Sequence, residues 1–86
     1  MQIQYFHEFI EELEGLDKRV QRQIKKKLKE LYRTPFDQHT QIALKGSQFK
    51  GLYKFRVGDW RLIYKVVNKE LHFITLGHRS EVYKGQ

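Results

Sequence analysis

Three cations lie close together in the stretch Leu52–Tyr64, which reads LYKFRVGDWRLIY. They are Lys54, Arg56 and Arg61, and they flank the pair Gly58-Asp59. Clustered cations can hold a polyanion, and they can stabilise the negative charge that develops on a phosphate as it reacts. The chemistry that the sequence offers first is therefore phosphate binding and stabilisation of a phosphate-centred transition state.

A tight hairpin would place all three cations on one face of a sheet. Gly58-Asp59 separates two alternating runs, and glycine supplies the positive φ that a two-residue turn needs. The predicted register pairs Val57 with Trp60 and Arg56 with Arg61. Because side chains alternate along a strand, the other face is apolar and holds Tyr53, Phe55, Val57, Trp60, Leu62 and Tyr64.

The predicted pair of arginines is unfavourable by itself. Like charges directly opposite each other destabilise an antiparallel pair, and two unit charges about 4 Å apart repel by about 1 kcal/mol in water. An anionic ligand would supply the missing counter-charge, which favours a binding site. The alternative is that both guanidinium groups extend separately into solvent.

Length and composition indicate one domain, residues 1–86, with an acidic partner. The chain has 86 residues, a formal charge of +7 and a pI near 9.8, which suits nucleic acid, an acidic protein or an anionic membrane. It has no cysteine, no long apolar run and no signal-peptide pattern, so a cytoplasmic protein is expected. The histidines His7, His39, His72 and His78 lack metal-ligand spacing, and we predict no metal or other cofactor.

The first half of the chain predicts two helices. Phe6, Phe9, Ile10 and Leu13 follow helical spacing, and Gly15 is expected to end that helix in the left-handed conformation. A second helix begins after the N-cap Asp17 and ends before Pro35. Its predicted apolar stripe is Val20, Ile24, Leu28, Leu31 and Tyr32. The lysines from Lys25 to Lys29 form either a solvated face or a site for phosphate or an acidic partner.

The remaining elements are predicted strands. Residues 2–5 form a short strand at a sheet edge, and strands 51–57 and 60–67 form the hairpin. A turn at Asn68-Lys69 leads to a strand at about 70–76, with Leu71, Phe73 and Thr75 on the apolar face and Leu76 on the other. The tail from Gly77 onward is too polar for a buried strand. The predicted fold class is α+β, with two N-terminal helices packed on one face of a small, mainly antiparallel sheet and the cations on the open face.

Three groups of residues resemble the RelE/ParE toxin superfamily, and more narrowly its RelE branch. They are Leu44 and Gly46, the hairpin from Gly51 to Tyr64, and the tail Gly77-His78-Arg79 with Glu81-Val82-Tyr83. The resemblance covers the second half closely, and the preceding helix pair fits the family's order of elements. It implies the RelE-like fold and the toxin of a type II toxin–antitoxin pair, which enters the ribosomal A site of the 30S subunit, cleaves messenger RNA and is neutralised by an antitoxin.

The same resemblance implies a set of site residues. Family positions for catalysis carry over to Lys54, Arg56, Arg61, Arg79 and Tyr83, and the predicted RNA-binding residues are Lys25, Lys45, Lys50 and Lys65. Lys54 is the first candidate for proton transfer, because Arg56 and Arg61 disfavour its charged form. His78 is the second, because histidine titrates near neutral pH. Several relatives carry lysine where this chain has Arg56, and arginine is not a general base, so Arg56 is interpreted as a phosphate clamp.

Two other functions stay open from the sequence. One is a ParE-like inhibitor of DNA gyrase that cleaves nothing. The full set of cations with a tyrosine argues against it, because a gyrase inhibitor does not need these residues. The other is a basic RNA-binding or protein-binding module with weak catalysis, which the arginine at position 56 allows. An RNA-cleaving enzyme that acts through the 2′-hydroxyl of its substrate remains the leading hypothesis.

Overall fold

One five-stranded sheet with helices on one face forms the architecture of the protein. The structure is a computed structural model that describes residues 1–82. The helices are α1 (His7–Glu14), α2 (Lys18–Tyr32) and the short α3 (Arg79–Val82). The strands are β1 (Ile3–Tyr5), β2 (Ile42–Ala43), β3 (Tyr53–Val57), β4 (Trp60–Val67) and β5 (Glu70–His78). Their order is β1-β5-β4-β3-β2, with β1 parallel to β5 and the other pairs antiparallel. The predicted α+β fold class is confirmed.

The hairpin forms in the predicted register. Val57 pairs with Trp60, and Arg56 pairs with Arg61. Gly58 has a φ of +58°, which is the left-handed conformation that this turn requires and that glycine adopts without strain. The second turn also forms as predicted, although it places two non-glycine residues, Asn68 and Lys69, at φ values of +51° and +62°.

The apolar face of the hairpin forms the core together with the two helices. Phe9, Tyr64 and Phe73 are fully buried at its centre, and the ring centroids of Phe9 and Phe73 lie 5.5 Å apart. All six predicted hairpin residues belong to this core or pack against it. The helices α1 and α2 therefore lie on one face of the sheet and the cations on the other, as the alternation of side chains predicted, and on that second face Arg61 and Ile63 are nevertheless buried.

An irregularity in β5 reverses part of the predicted face assignment. The β4–β5 register shifts between Ile63 and Tyr64, so that Tyr64 pairs with Phe73 while Leu62 pairs with Leu76. Leu76 consequently lies in the core, and Thr75 instead pairs with Ile63. The extra residue of a β-bulge changes the side-chain alternation beyond it, and this is why the placement of Thr75 and Leu76 predicted from simple alternation was wrong.

The end of β5 was also mispredicted. Gly77 and His78 continue the strand, and Gly77 is buried, although the polar tail was expected to leave the sheet. Glycine and histidine are tolerated here because pairing with Arg61 and Trp60 of β4 satisfies their backbone. The chain then turns at once into α3.

The predicted boundary residues Gly15 and Asp17 lie at the end of α1 and at the start of α2. Asp17 accepts a hydrogen bond from the backbone N–H of Arg19 at 2.8 Å, which confirms the predicted N-cap. Gly15 is right-handed, with a φ of −80°, so its predicted left-handed conformation was wrong. Tyr32 was also wrongly assigned to the buried stripe, since it is 55% exposed near the C-terminal end of α2.

The buried Gln21 links α1 to α2. It is 4% exposed, and its Nε2 donates to the carbonyl oxygens of Leu16 at 2.8 Å and Glu14 at 3.2 Å. We expect Gln21→Met, which keeps the volume but loses both hydrogen bonds, to lower the free energy of unfolding by about 1–3 kcal/mol. Urea unfolding measures this loss. Gln23→Met, at an exposed position of the same helix, is the matched control, and an equal effect of both variants would contradict the role of Gln21.

Among the described residues, no helix is both long and apolar enough to cross a bilayer.

Candidate functional site

The hairpin brings Lys54, Arg56 and Arg61 to the face of the sheet that α1 and α2 leave uncovered. Arg56 and Arg61 are directly opposite each other on β3 and β4, and opposed Cβ atoms are about 4.5–5.5 Å apart in such pairs. Lys54 follows Arg56 at a spacing of two along β3 and so faces the same way. Arg56 is exposed, and Lys54 is half-buried. The structure therefore places the three predicted cations close together on one face of the sheet.

The three cations differ in how firmly they are held. Arg61 is only 9% exposed, and its Nη1 donates to the carbonyl oxygens of Gly58 at 2.7 Å and Trp60 at 3.0 Å. Its guanidinium therefore lies against the hairpin turn instead of extending into solvent, which was the alternative left open by the sequence. Because one side of the group is fixed, Arg61 can present charge to a ligand with little loss of conformational entropy.

The chain after β5 joins Arg79 to the same turn. The backbone N–H of Arg79 donates to the carbonyl oxygen of Asp59 at 2.7 Å, and its Nε lies 3.7 Å from Oδ1 of Asp59. Both side chains are 63% exposed, so the ion pair itself adds little stability. The backbone hydrogen bond to Asp59 is what keeps this fourth cation at the end of the sheet where Arg56 and Arg61 lie.

His78 has a different position from the one expected of a proton-transfer residue. It pairs with Trp60, so it shares the helix-covered face and not the face of Arg61. Its ring lies edge-on to Trp60, with centroids 5.5 Å apart, and its Nδ1 accepts hydrogen bonds from the hydroxyl and the backbone N–H of Ser80. His78 thus caps the start of α3, and its role in proton transfer stays a prediction that this geometry does not favour.

The four predicted RNA-binding lysines do not form one surface. Lys65 lies four residues from Arg61 along β4, about 13 Å away at the usual strand rise, and its Nζ is 5.3 Å from the ring centroid of Phe6. Lys25 belongs to α2, on the far side of the sheet. Lys45 and Lys50 are exposed in the segment between β2 and β3. Tyr83, the predicted catalytic tyrosine, lies outside the described residues.

Sequence reasoning missed a polar cluster in which the half-buried His39 and Gln41 contact the buried Tyr64, near the start of β3. The Tyr64 hydroxyl donates to Oε1 of Gln41 at 2.5 Å and lies 3.2 Å from Nε2 of His39. Tyr64 is fully buried, and burial, together with the neighbouring Tyr53, raises the pKa of its hydroxyl. Gln41 and His39 come from the segment that was predicted only as a loose loop, where no periodic pattern marks a residue as buried.

His39 should make the fold sensitive to acid. Burial lowers its pKa below the ordinary 6.5, so below that pH the unfolded chain binds more protons than the folded one. We expect the free energy of unfolding to decrease as pH falls from about 7.5 to about 5. His39→Asn should remove this part of the decrease, so that the difference between wild type and variant shrinks in acid. Denaturant unfolding across this range measures it, and parallel curves would contradict the assignment.

Comparison with known proteins places almost the whole chain in one family. Residues 3–83 match the family model described as the ParE toxin of the type II toxin–antitoxin system parDE. No match was found among curated protein sequences.

Solved structures share both the fold and part of the sequence. The isolated RelE toxin of E. coli is 28% identical with a TM-score of 0.68, covering 98% of this chain and 92% of that one. YafQ of E. coli is 25% identical with a TM-score of 0.65, covering 95% and 97%. The RelBE2 toxin–antitoxin complex from Mycobacterium tuberculosis has a TM-score of 0.72 at 18% identity, covering 93% and 92%, and this shows likeness of fold alone. The chain therefore belongs to the ParE toxin family of type II toxin–antitoxin systems, within the RelE/ParE superfamily that its hairpin and tail resemble.

Proposed function

We propose that this toxin is an endoribonuclease that cleaves messenger RNA in the ribosomal A site. The observation that carries the proposal is the direct pairing of Arg56 with Arg61, beside Lys54 and next to the end of the sheet where Arg79 is fixed. Stability alone does not favour two opposed arginines. A phosphate group between them would convert the repulsion into two charge-assisted contacts.

Cleavage through the 2′-hydroxyl of the RNA needs three functions. The 2′-hydroxyl must lose a proton, the phosphorane-like transition state must be stabilised, and the leaving 5′-oxygen must gain a proton. Arg56, Arg61 and Arg79 supply the second function, because preorganised positive charge next to developing negative charge is often the largest catalytic term. Arg61 is the best preorganised of them, since its position is fixed by the turn carbonyls.

Proton transfer falls first to Lys54. It lies on the same face as the arginines, whereas His78 lies on the other face and is engaged by Ser80. The family resemblance adds Tyr83 as the residue that stacks on a base and holds the nucleotide in line, as aromatic side chains do with single-stranded RNA. The reaction as proposed uses no metal ion and no cofactor.

The proposed partners are the ribosome, messenger RNA and a cognate antitoxin in the cytoplasm. An antitoxin is supported by the matching family model, which is that of a toxin of a type II toxin–antitoxin system. The charge of +7 favours association with ribosomal RNA and with an acidic antitoxin segment. Neutralisation would then consist of covering the cation face of β3 and β4.

A gyrase inhibitor is the second candidate, because the matching family model is that of ParE toxins. Induced expression in bacteria, followed by primer extension on an abundant translated message, separates the two. Cuts within the reading frame that disappear when the start codon is removed support ribosome-dependent cleavage. Growth arrest with intact messages and inhibited DNA supercoiling would overturn it in favour of gyrase, and no arrest would favour a binding module.

A further inference from the structure

A cavity of about 340 Å³ opens at the outer edge of β3, next to Lys54 and Arg56. Strand β2 pairs Ala43 with Tyr53 and Ile42 with Lys54, and this register, if continued, would join Gln41 to Phe55 and then Thr40 to Arg56. The chain leaves the sheet before these pairs form. The space that β2 leaves beside β3 is the cavity, and its lining residues are His39, Thr40, Ile42, Lys54, Phe55 and Arg56.

The edge of β3 exposes backbone hydrogen-bonding groups to this gap. A two-residue turn closes on a hydrogen-bonded pair, here Val57 with Trp60, and such pairs alternate along an antiparallel ladder. Phe55 therefore directs its N–H and C=O toward β4, and Arg56 directs its own toward the outer edge. Because β2 has ended there, a ligand in the cavity meets one main-chain donor and one acceptor.

The two sides of the cavity differ in chemistry. Lys54 and Arg56 supply positive charge, and Arg56 is exposed. Opposite them the lining is aromatic and aliphatic, with the rings of His39 and Phe55 at a centroid distance of 5.9 Å. A volume of about 340 Å³ lies at the lower end of the roughly 300–1,000 Å³ of small-ligand sites. A nucleotide has matching parts, an anionic phosphate and a flat, polar-edged base that a ribose joins.

The hydrogen bonds of His39 fix its tautomer. The single hydroxyl proton of Tyr64 is donated to Gln41, so the Tyr64 oxygen must accept from Nε2–H of His39. In the neutral ring, Nδ1 is then an acceptor. His39 is thus a flat ring that is held from behind by a buried tyrosine, and it offers both a stacking face and an acceptor nitrogen.

We propose that this cavity is a nucleobase pocket, which binds the base of a nucleotide whose phosphate is held by Lys54 and Arg56, with His39 as the base-contacting residue. The inference rests on the proposed function, since it assigns part of the RNA to a defined place. It predicts that His39 affects which nucleotide is bound, while the cations affect how tightly any phosphate is bound.

Titration of the purified toxin with small phosphates tests the pocket. The probes are the four ribonucleoside 5′-monophosphates and, as the matched compound without a base, ribose 5-phosphate, followed by NMR of the histidine ring signals. We expect at least one nucleotide to bind about fivefold or more tighter than ribose 5-phosphate, as stacking of one base would give, and to shift the His39 signals. Equal binding of all five compounds with unmoved His39 signals would overturn the pocket.

Two variants separate the two sides of the cavity. His39→Ala should reduce nucleotide affinity to that of ribose 5-phosphate without changing the latter, and His39→Asn, which retains a donor for Tyr64, guards against an effect of misfolding. Arg56→Ala should weaken all five compounds by a similar factor. If the nucleotides leave His39 unmoved but an antitoxin segment shifts its signals, the cavity is a protein-docking site and the inference is wrong.

This test is independent of cleavage. A toxin that cuts no message but binds nucleotides at His39 would overturn the proposed function and keep the pocket. A toxin that cuts messages at the ribosome but binds no nucleotide at His39 would keep the function and overturn the pocket. In the cutting toxin, His39→Ala should change the relative cleavage of different codons by more than it changes cleavage of the best one.

Discussion

Replacing Arg61 with alanine is expected to remove nearly all of the proposed messenger RNA cleavage. The variant removes one of the two paired arginines, the one that the turn carbonyls hold in place. Loss of one such preorganised group typically lowers the chemical rate by about 10²–10³-fold. Single-turnover cleavage of a programmed ribosome complex measures this rate without the contribution of product release. The affinity for the ribosome should change far less, because Arg56, Arg79 and the basic α2 retain their charges.

The same substitution should also cost stability. The Arg61 guanidinium donates to two carbonyl oxygens of the turn, and hydrogen bonds that involve a charged group contribute about 1.5–3 kcal/mol each. Together the two bonds would contribute about 3–6 kcal/mol, and relief of the repulsion with Arg56, from about 1 kcal/mol in water to about 4 kcal/mol at an effective dielectric near 20, offsets a large part of this loss. We expect the free energy of unfolding to fall by about 1–2 kcal/mol, so that the protein stays folded at 25 °C and its lost activity is not a consequence of unfolding.

Two further variants make the result interpretable. Arg61→Lys keeps the charge but replaces the fork of donors with a single ammonium group, and it should fall between wild type and alanine in rate. Lys26→Ala removes one charge from an exposed position of α2 and should cleave at the wild-type rate. If Arg61→Ala cleaves as fast as Lys26→Ala while folded, the arginine pair is not the catalytic centre.

The parts of this fold that depend on local pattern could be predicted from the sequence. The hairpin register followed from Gly58-Asp59 and from alternation alone, and every predicted pair forms. The helices followed from apolar spacing and from the N-cap Asp17. These features depend on residues that are near one another in the chain, so their physical causes can be read directly.

Features that depend on contacts between distant residues could not be predicted. The shift in β5 depends on how Phe73 and Leu76 fit β4, and nothing in the alternation of residues 70–76 indicates where an extra residue will be accommodated. The link between Asp59 and Arg79 spans twenty residues of sequence and requires β5 to reach His78. The hydrogen bond between His39 and Tyr64 could not be predicted either, because the two residues are 25 positions apart in the sequence.

The candidate site shows both cases. Lys54, Arg56 and Arg61 were placed correctly because one hairpin determines their arrangement. His78 was expected near them as a candidate for proton transfer, but the pairing of His78 with Trp60 turns its side chain to the other face. Adjacent residues of a strand face opposite ways, so closeness in sequence is a poor guide to a shared site at the end of a strand.

Replacing Phe73 with alanine should destabilise the protein more than any of the other substitutions considered. Phe73 is fully buried, and its ring lies 5.2 Å from that of Tyr64, 5.5 Å from Phe9 and 5.9 Å from Tyr5, centroid to centroid. It therefore joins β1, α1, β4 and β5. Truncating a buried phenylalanine typically costs about 3–5 kcal/mol, against a total of about 5–15 kcal/mol for a domain.

That loss should lower the melting temperature by roughly 12 °C or more for a chain of this size, and thermal unfolding followed by circular dichroism measures it. Tyr32→Ala is the matched control, since it also truncates an aromatic ring but at a position that is 55% exposed, and it should change stability by less than about 1 kcal/mol. Similar shifts for both variants would mean that the aromatic cluster is not the centre of the core. A large shift for Phe73→Ala alone would also explain how the sheet keeps the opposed arginines in place: the apolar face of the hairpin is fixed by this cluster, and the register that fixes it sets Arg56 against Arg61 on the other side.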